Sequence, residues 1–189
     1  MIEVPTMCGW VAAWEDEREK LTDPDLVHMV DMVILHSVIE AERDWDALRP
    51  TIHDDALYVS GGTDPDRAKD KAQQMEVYRE LDRLSPGAIG RFQQEMEHFA
   101  VGPDGVAHDG VMYSILKGSQ LPFRHLSAPD GTSPDDEFLI AWRMALFIPF
   151  KDGLLLAEDT YSGEAWIVKQ LSPEMIRARR ALGRIWAEA

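Results

Sequence analysis

The sequence predicts an α+β domain in which helices come first, an antiparallel sheet follows, and the strongly curved sheet is closed by the N-terminal helices to make a pocket. Three observations carry this prediction. Apolar residues recur at helical spacing behind a helix-start signal, Thr22-Asp23-Pro24-Asp25. From residue 92 the pattern changes to long runs of period two. Two of those runs are joined by Lys151-Asp152-Gly153, whose Asp-Gly is a strong hairpin signal.

Residues 1–21 carry Trp10 and Trp14 in a charged run and read as an N-terminal arm that packs on the body or on a neighbouring subunit. The first long helix has capping side chains ahead of Pro24, whose fixed φ suits a first turn, and it runs to about Glu42. Val27, Val30, Ile34 and Val38 form its core stripe, while His28, Met32, His36 and Glu40 form a second stripe four residues apart. Residues 44–52 read as a short helix interrupted by Pro50, 56–59 as a strand ended by Gly61-Gly62, and 65–84 as an amphipathic helix stopped by Ser85-Pro86-Gly87.

Strands are expected over 92–100, 111–117, 138–150 and 154–161. In the first of them Phe92, Gln94, Met96, His98 and Ala100 share the more apolar face. Residues 118–136, rich in Gly, Pro, Ser and Asp, suit a long loop folding over a pocket mouth. Ser172-Pro173-Glu174 caps a final helix containing Ile176, Leu182, Ile185 and Trp186. The chain thus divides into an arm over 1–21, a domain over 22–171 and a C-terminal helix over 172–189 that packs on the domain.

Composition narrows the function classes. A chain of 189 residues with 45% hydrophobic content fits one domain with a proper core. A net charge of −15 repels nucleic acid and anionic membranes, so neither is an expected partner. Cys8 is the only cysteine, which excludes an intrachain disulfide and a thiolate metal cluster. With no secretory signal and no run of about 18 apolar residues, a soluble cytoplasmic protein is expected. No His-Glu-x-x-His run occurs, His28 and His36 are too far apart on a helix for one ion, and Gly61-Gly62 lacks the spacing of a nucleotide fingerprint. Neither metal nor cofactor is expected.

Three strings stand in a telling order. They are Glu42-Arg43-Asp44-Trp45-Asp46-Ala47-Leu48-Arg49 followed by His53-Asp54-Asp55-Ala56; then Glu97-His98-Phe99-Ala100-Val101-Gly102; then Phe150-Lys151-Asp152-Gly153-Leu154 running on to Glu158-Asp159-Thr160-Tyr161. Over about 25–171 the chain resembles the nuclear transport factor 2-like superfamily, which includes SnoaL-type polyketide cyclases, ketosteroid isomerase and scytalone dehydratase, the last being nearest in motif. The resemblance implies a cone-shaped barrel around a pocket for a small molecule. It also implies a homodimer formed through the outer face of the sheet, where Ala145, Phe147 and Pro149 point outwards.

The catalytic residues the resemblance implies are His98, in the place of the dehydratase histidine; His36, where ketosteroid isomerase-like proteins carry an oxyanion-hole tyrosine; Glu40, where scytalone dehydratase-like proteins carry a pocket tyrosine; and Glu158, a second acid or base. An imidazole takes a proton from carbon and returns one to a leaving oxygen, and a buried carboxyl shifts towards neutrality. His98 is the expected base or acid, oriented by Glu40, with His36 and Glu158 polarising substrate oxygens. Tyr58, Ser60, Tyr113, Trp142, Met144, Leu146 and Thr160 are expected to contact the substrate, with Ser162 also inward and Arg143 and Asp159 outside. Plain packing roles compete: a satisfied strand histidine, a surface His36–Glu40 pair worth a few tenths of a kcal/mol, a solvent-facing Glu158, and core for Trp142 and Met144.

Ser60 and Leu146 stand where the steroid isomerase has carboxylates, so that mechanism is rejected. The expected function is a cofactor-independent lyase, performing dehydratase-like or retro-aldol elimination on a small aromatic or alicyclic molecule. The alternatives are an isomerase or cyclase, an epoxide hydrolase, which needs an inward Asp-Arg-Asp set, and a small-ligand-binding protein without catalysis.

Overall fold

The computed structural model describes residues 9–59, 68–84, 92–172 and 174. Gly9–Arg18 forms α1, within the segment expected to be an arm, and Trp14 is the side chain that fastens it: 1% exposed, edge-on to Phe99 at 4.9 Å and to His108 at 5.4 Å. Helix α2 (Pro24–Glu42) uses the signals at its start. The Asp23 side chain accepts from Asp25 N at 2.9 Å, Pro24 occupies the first turn, and Arg43 ends the helix in the left-handed region at φ 61°. Its buried stripe is Val30, Val33 and His36. That corrects the stripe of Val27, Val30, Ile34 and Val38, because the helix is apolar around most of its circumference and spacing alone does not choose the face.

The short helix expected over 44–52 is α3 (Trp45–Leu48), capped by Asp44 accepting from Ala47 N at 3.0 Å, followed by a 3₁₀ turn over Arg49–Thr51 that accommodates Pro50. Strand β1 (Leu57–Tyr58) pairs with β2 (Lys69–Asp70), and α4 (Lys71–Leu84) begins after it. The large sheet is antiparallel and curved. It runs β3 (Phe92–Gly102), β4 (Gly105–Lys117), β5 (Glu137–Lys151), with β7 (Asp159–Gln170) on the far side of β5 and β6 (Leu154–Leu155) hairpinned onto its end. The Asp-Gly signal is used as predicted: Asp152 at φ 52° and Gly153 at φ 79° supply the left-handed pair that a two-residue hairpin requires.

Two strands are longer than their sequence suggests. β4 begins at Gly105, where φ is 147° and a Cβ would lie 2.3 Å from the Ile148 carbonyl oxygen, so the glycine that looks like a break is what lets the strands close up. The fourth expected strand, 154–161, is two elements, of which β7 continues past Ser162-Gly163 to Gln170.

Two apolar clusters line the inner face of the sheet. Met112, Phe138, Ile140, Trp142 and Met144 pack with Leu121 from the loop after β4, while Val106, Ile148 and Leu155 pack with Trp14, Val30 and Val33 from α1 and α2. The outer face carries Tyr113 with Ile115, Leu139 and Leu171, and farther along it Phe147, 49% exposed and edge-on to Tyr161. Among the described residues no helix is long and apolar enough to cross a membrane. The final helix expected beyond Ser172, with Ile176, Leu182, Ile185 and Trp186, lies outside the described residues.

Burial beside Trp14 pushes the His108 imidazole down to about 4, with Asp109 opposing. Its folded value lies below its ordinary one, so the unfolded chain takes up the proton first as pH falls. The contribution is whole above about pH 6.5 and is lost as pH falls towards 4, which corresponds to about 3 kcal/mol. We expect the stability difference between the native protein and His108→Phe, from urea unfolding, to change by that amount between pH 7 and pH 4. A pH-independent difference would contradict it.

Candidate active site

Backbone pairing assembles the site. Residues 53–59 run beside 155–160, with His53 N bonded to Leu155 O (2.8 Å), Leu57 N to Leu156 O (3.0 Å) and Thr160 N to Val59 O (3.3 Å). This sets Tyr58 and Glu158 against the end of α2, where His36 and Glu40 follow one turn apart. Tyr78 reaches in from α4 and donates to Glu158 Oε2 at 2.8 Å, while Trp45 stacks on its ring at 5.5 Å.

Proton bookkeeping fixes the state of His36, which is 1% exposed. Thr51 Oγ1 donates its single proton to Leu48 O at 2.7 Å. It must therefore accept from His36 Nδ1–H, 2.6 Å away. Nε2 of the neutral ring is then a bare lone pair. It has no hydrogen-bond partner among the described residues and stands 3.7 Å from Glu158 Oε1, beyond hydrogen-bond length. Tyr58 Oη, also buried, lacks a partner among the described residues as well. Removing the Thr51 hydroxyl strands the Nδ1–H inside the protein, so Thr51→Val should cost about 1–3 kcal/mol, read as a lowered urea midpoint. An unchanged midpoint would show that the hydroxyl does not hold the ring.

Burial drives the electrostatics of the cluster. It pushes the His36 imidazole down, with Glu158 opposing, and it pushes the Glu40 carboxyl well up, with Glu158 adding to the rise. Glu40 keeps some surface as a residue, but its carboxyl is enclosed. Burial, Glu158 and Glu40 also raise the Tyr58 and Tyr78 phenols, which therefore remain donors. Burial thus favours an unprotonated imidazole and a proton-holding Glu40 carboxyl, with two phenol donors beside Glu158.

One donor atom from each of His36, Glu40 and Glu158 lies within 4.8 Å of the others. Three such groups could hold a divalent ion, but Glu40's preference for its proton opposes that use. Chemically, the set can accept a proton, deliver one and stabilise an oxyanion.

The structure brings together His36, Glu40, Glu158 and Tyr58 from the expected set, and adds Thr51 and Tyr78, which sequence reasoning missed. His98 stands elsewhere. Its side chain is 76% exposed, with Nδ1 2.7 Å from Asp109 Oδ1. The cause is a β-bulge: pairing jumps from Met96–Gly110 to His98–Asp109 and leaves Glu97 over. The inward residues become Met96, Phe99 and Val101, and His98 turns outward. The spacing of those three apolar residues is the signal that could have shown the bulge.

Tyr113 is corrected too. It lies with the outer-face cluster, and its hydroxyl donates to Glu95 at 3.1 Å. Trp142 and Met144 are buried on the inner face, Leu146 is half-buried there, and Thr160 is half-buried with Oγ1 3.5 Å from Glu158 O. Ser162 pairs with inner-face Met144 but is exposed, and Ser60 lies outside the described residues. Arg143 is exposed and paired with Glu97, as its outward expectation requires. Asp159 is half-buried, with burial raising its carboxyl.

The fold resembles that of nuclear transport factor 2-like proteins. No family model and no curated protein matches the sequence. Among solved structures, a proposed SnoaL-like polyketide cyclase from Jannaschia sp. CCS1 is similar with a TM-score of 0.52 and 14% identity, over 75% of this chain and 90% of that one. A proposed polyketide cyclase from Xanthomonas campestris pv. campestris (TM-score 0.48, 10% identity, 72% and 91% covered) and an LEH-like epoxide hydrolase of M. tuberculosis (0.48, 12%, 72% and 83%) are also similar.

Proposed function

We propose that the chain is a lyase that eliminates water, or an equivalent leaving group, from a small aromatic or alicyclic molecule using only its own side chains. The observation that carries this reading is a bare imidazole nitrogen beside a proton-retaining carboxyl in one buried cluster. His36 Nε2 takes the proton from the carbon next to a carbonyl, and Tyr58 Oη donates to the oxygen that gains charge. Glu40 protonates the departing hydroxyl, which leaves as water as the new double bond forms. The imidazolium, stabilised by Glu158, then returns its proton to the Glu40 carboxylate and restores the resting state. A general acid and a general base each contribute typically 10²- to 10⁴-fold.

Arg143 and its partner Glu97 lie away from this cluster, which speaks against the inward Asp-Arg-Asp set of an epoxide hydrolase. The same reading carries a homodimer through the outer sheet face, where Phe147, Tyr161 and Trp166 stay exposed. A lowered base and a raised acid leave both groups in working form at neutral pH. We therefore expect kcat to be level through neutrality, falling in acid as His36 protonates and in alkali as Glu40 ionises. The test is a panel of β-hydroxy cyclic ketones followed by mass spectrometry for loss of water. Protein-dependent loss supports the reading; saturable binding without conversion would replace it with a ligand-binding protein.

A further inference from the structure

The segment after β4 folds as a 3₁₀ turn, Gly118–Arg124, pinned by Leu121, which is 0% exposed and part of the inner-face cluster. His125, left-handed at φ 57°, closes the turn. Arg124 is thereby laid over Trp142, its Cζ 4.1 Å from the ring centroid. Stacking on an indole face orients a guanidinium while leaving its N–H edge free for hydrogen bonds. Burial lowers the Arg124 pKa, and no carboxylate among the described residues offsets it. The chain carries 34 Asp and Glu against 19 Lys and Arg, so a stacked arginine with no acid beside it is not the expected default. Beneath it Trp142 is 5% exposed, and its Nε1–H has no partner among the described residues. A buried indole N–H ordinarily finds an acceptor.

We propose that Arg124 and Trp142 form a subsite for the carboxylate of an elongated aromatic acid, bound along the inner face with its other end at the His36 cluster. A carboxylate offers acceptor oxygens for both the guanidinium fork and an N–H donor. Along β5, Trp142 is four residues from Leu146, whose partner Thr160 lies two residues beyond Glu158. Four residues of strand span roughly 13 Å. A molecule touching both ends is therefore elongated, on the scale of two or three fused rings. That this acid is the substrate rests on the lyase reading above; that the subsite binds a carboxylate does not.

The test is isothermal titration of the full chain with 2-naphthoate and with its neutral isostere 2-naphthamide. A charge-assisted pairing should favour naphthoate by about 10- to 100-fold. Arg124→Met, which keeps the side-chain length but not the charge, should erase that preference while leaving naphthamide binding unchanged; Arg124→Lys should retain part of it. The titration reads carboxylate binding and not turnover, so failure of the catalytic reading, seen as loss of turnover alone, and failure of the subsite are told apart. Equal affinity for the two probes, absence of saturable naphthoate binding, or full naphthoate affinity in Arg124→Met would each overturn the proposal.

Discussion

In His36→Asn, turnover of whichever hydroxy ketone the native protein converts should fall by about 10²- to 10⁴-fold, with substrate affinity little changed. The substitution is chosen for its geometry. An asparagine amide can donate to Thr51 Oγ1 as Nδ1–H does, but it has nothing in the place of Nε2. The packing contact is kept and the base is lost. A drop in kcat without a matching rise in KM is the signature of a group that acts in the transition state. His98→Ala should leave turnover and thermal midpoint alone, because that imidazole is solvent-exposed and pairs with Asp109 away from the His36 cluster. If the two variants behaved the other way round, the base would be His98 and the cluster around His36 would be structural.

Trp14→Ala should be the most damaging single change to stability. Truncating a buried tryptophan typically costs about 3–5 kcal/mol, a large part of a domain's usual 5–15 kcal/mol. Trp14 joins α1 to β3 and β4 through Phe99 and His108, and it packs with Val30 and Val33 of α2. Its loss opens a cavity at the junction of two helices and the sheet rather than at an edge that can collapse. Chemical denaturation should show the lowered midpoint. A change within about 0.5 kcal/mol, as for an ordinary surface site, would mean that α1 is an appendage and not part of the core.

How much of this the sequence contains depends on the range of the interaction. Asp23-Pro24 starting a helix, Asp152-Gly153 turning a hairpin and Pro50 breaking a helix are local steric facts, and all appear where the sequence places them. Strand lengths were less legible, because Gly105 and Ser162-Gly163 look like breaks until a partner strand is beside them. A single extra residue at Glu97 moved His98 from the expected inner face to solvent, since side-chain direction reverses with every residue of a strand. Family resemblance could name His98 but could not see that bulge.

The sequence by itself determined the class of fold and the identities of three of the groups that meet: His36 and Glu40, one turn apart on a helix, and Glu158 after the hairpin. What only the tertiary structure decided is their chemistry. Thr51 sets the tautomer from a different turn, Tyr78 holds Glu158 from a helix 80 positions away in the chain, and burial favours the proton on Glu40 while disfavouring it on His36. A proton's position depends on hydrogen-bond partners and on the exclusion of water, and both are properties of the folded arrangement, not of the order of residues.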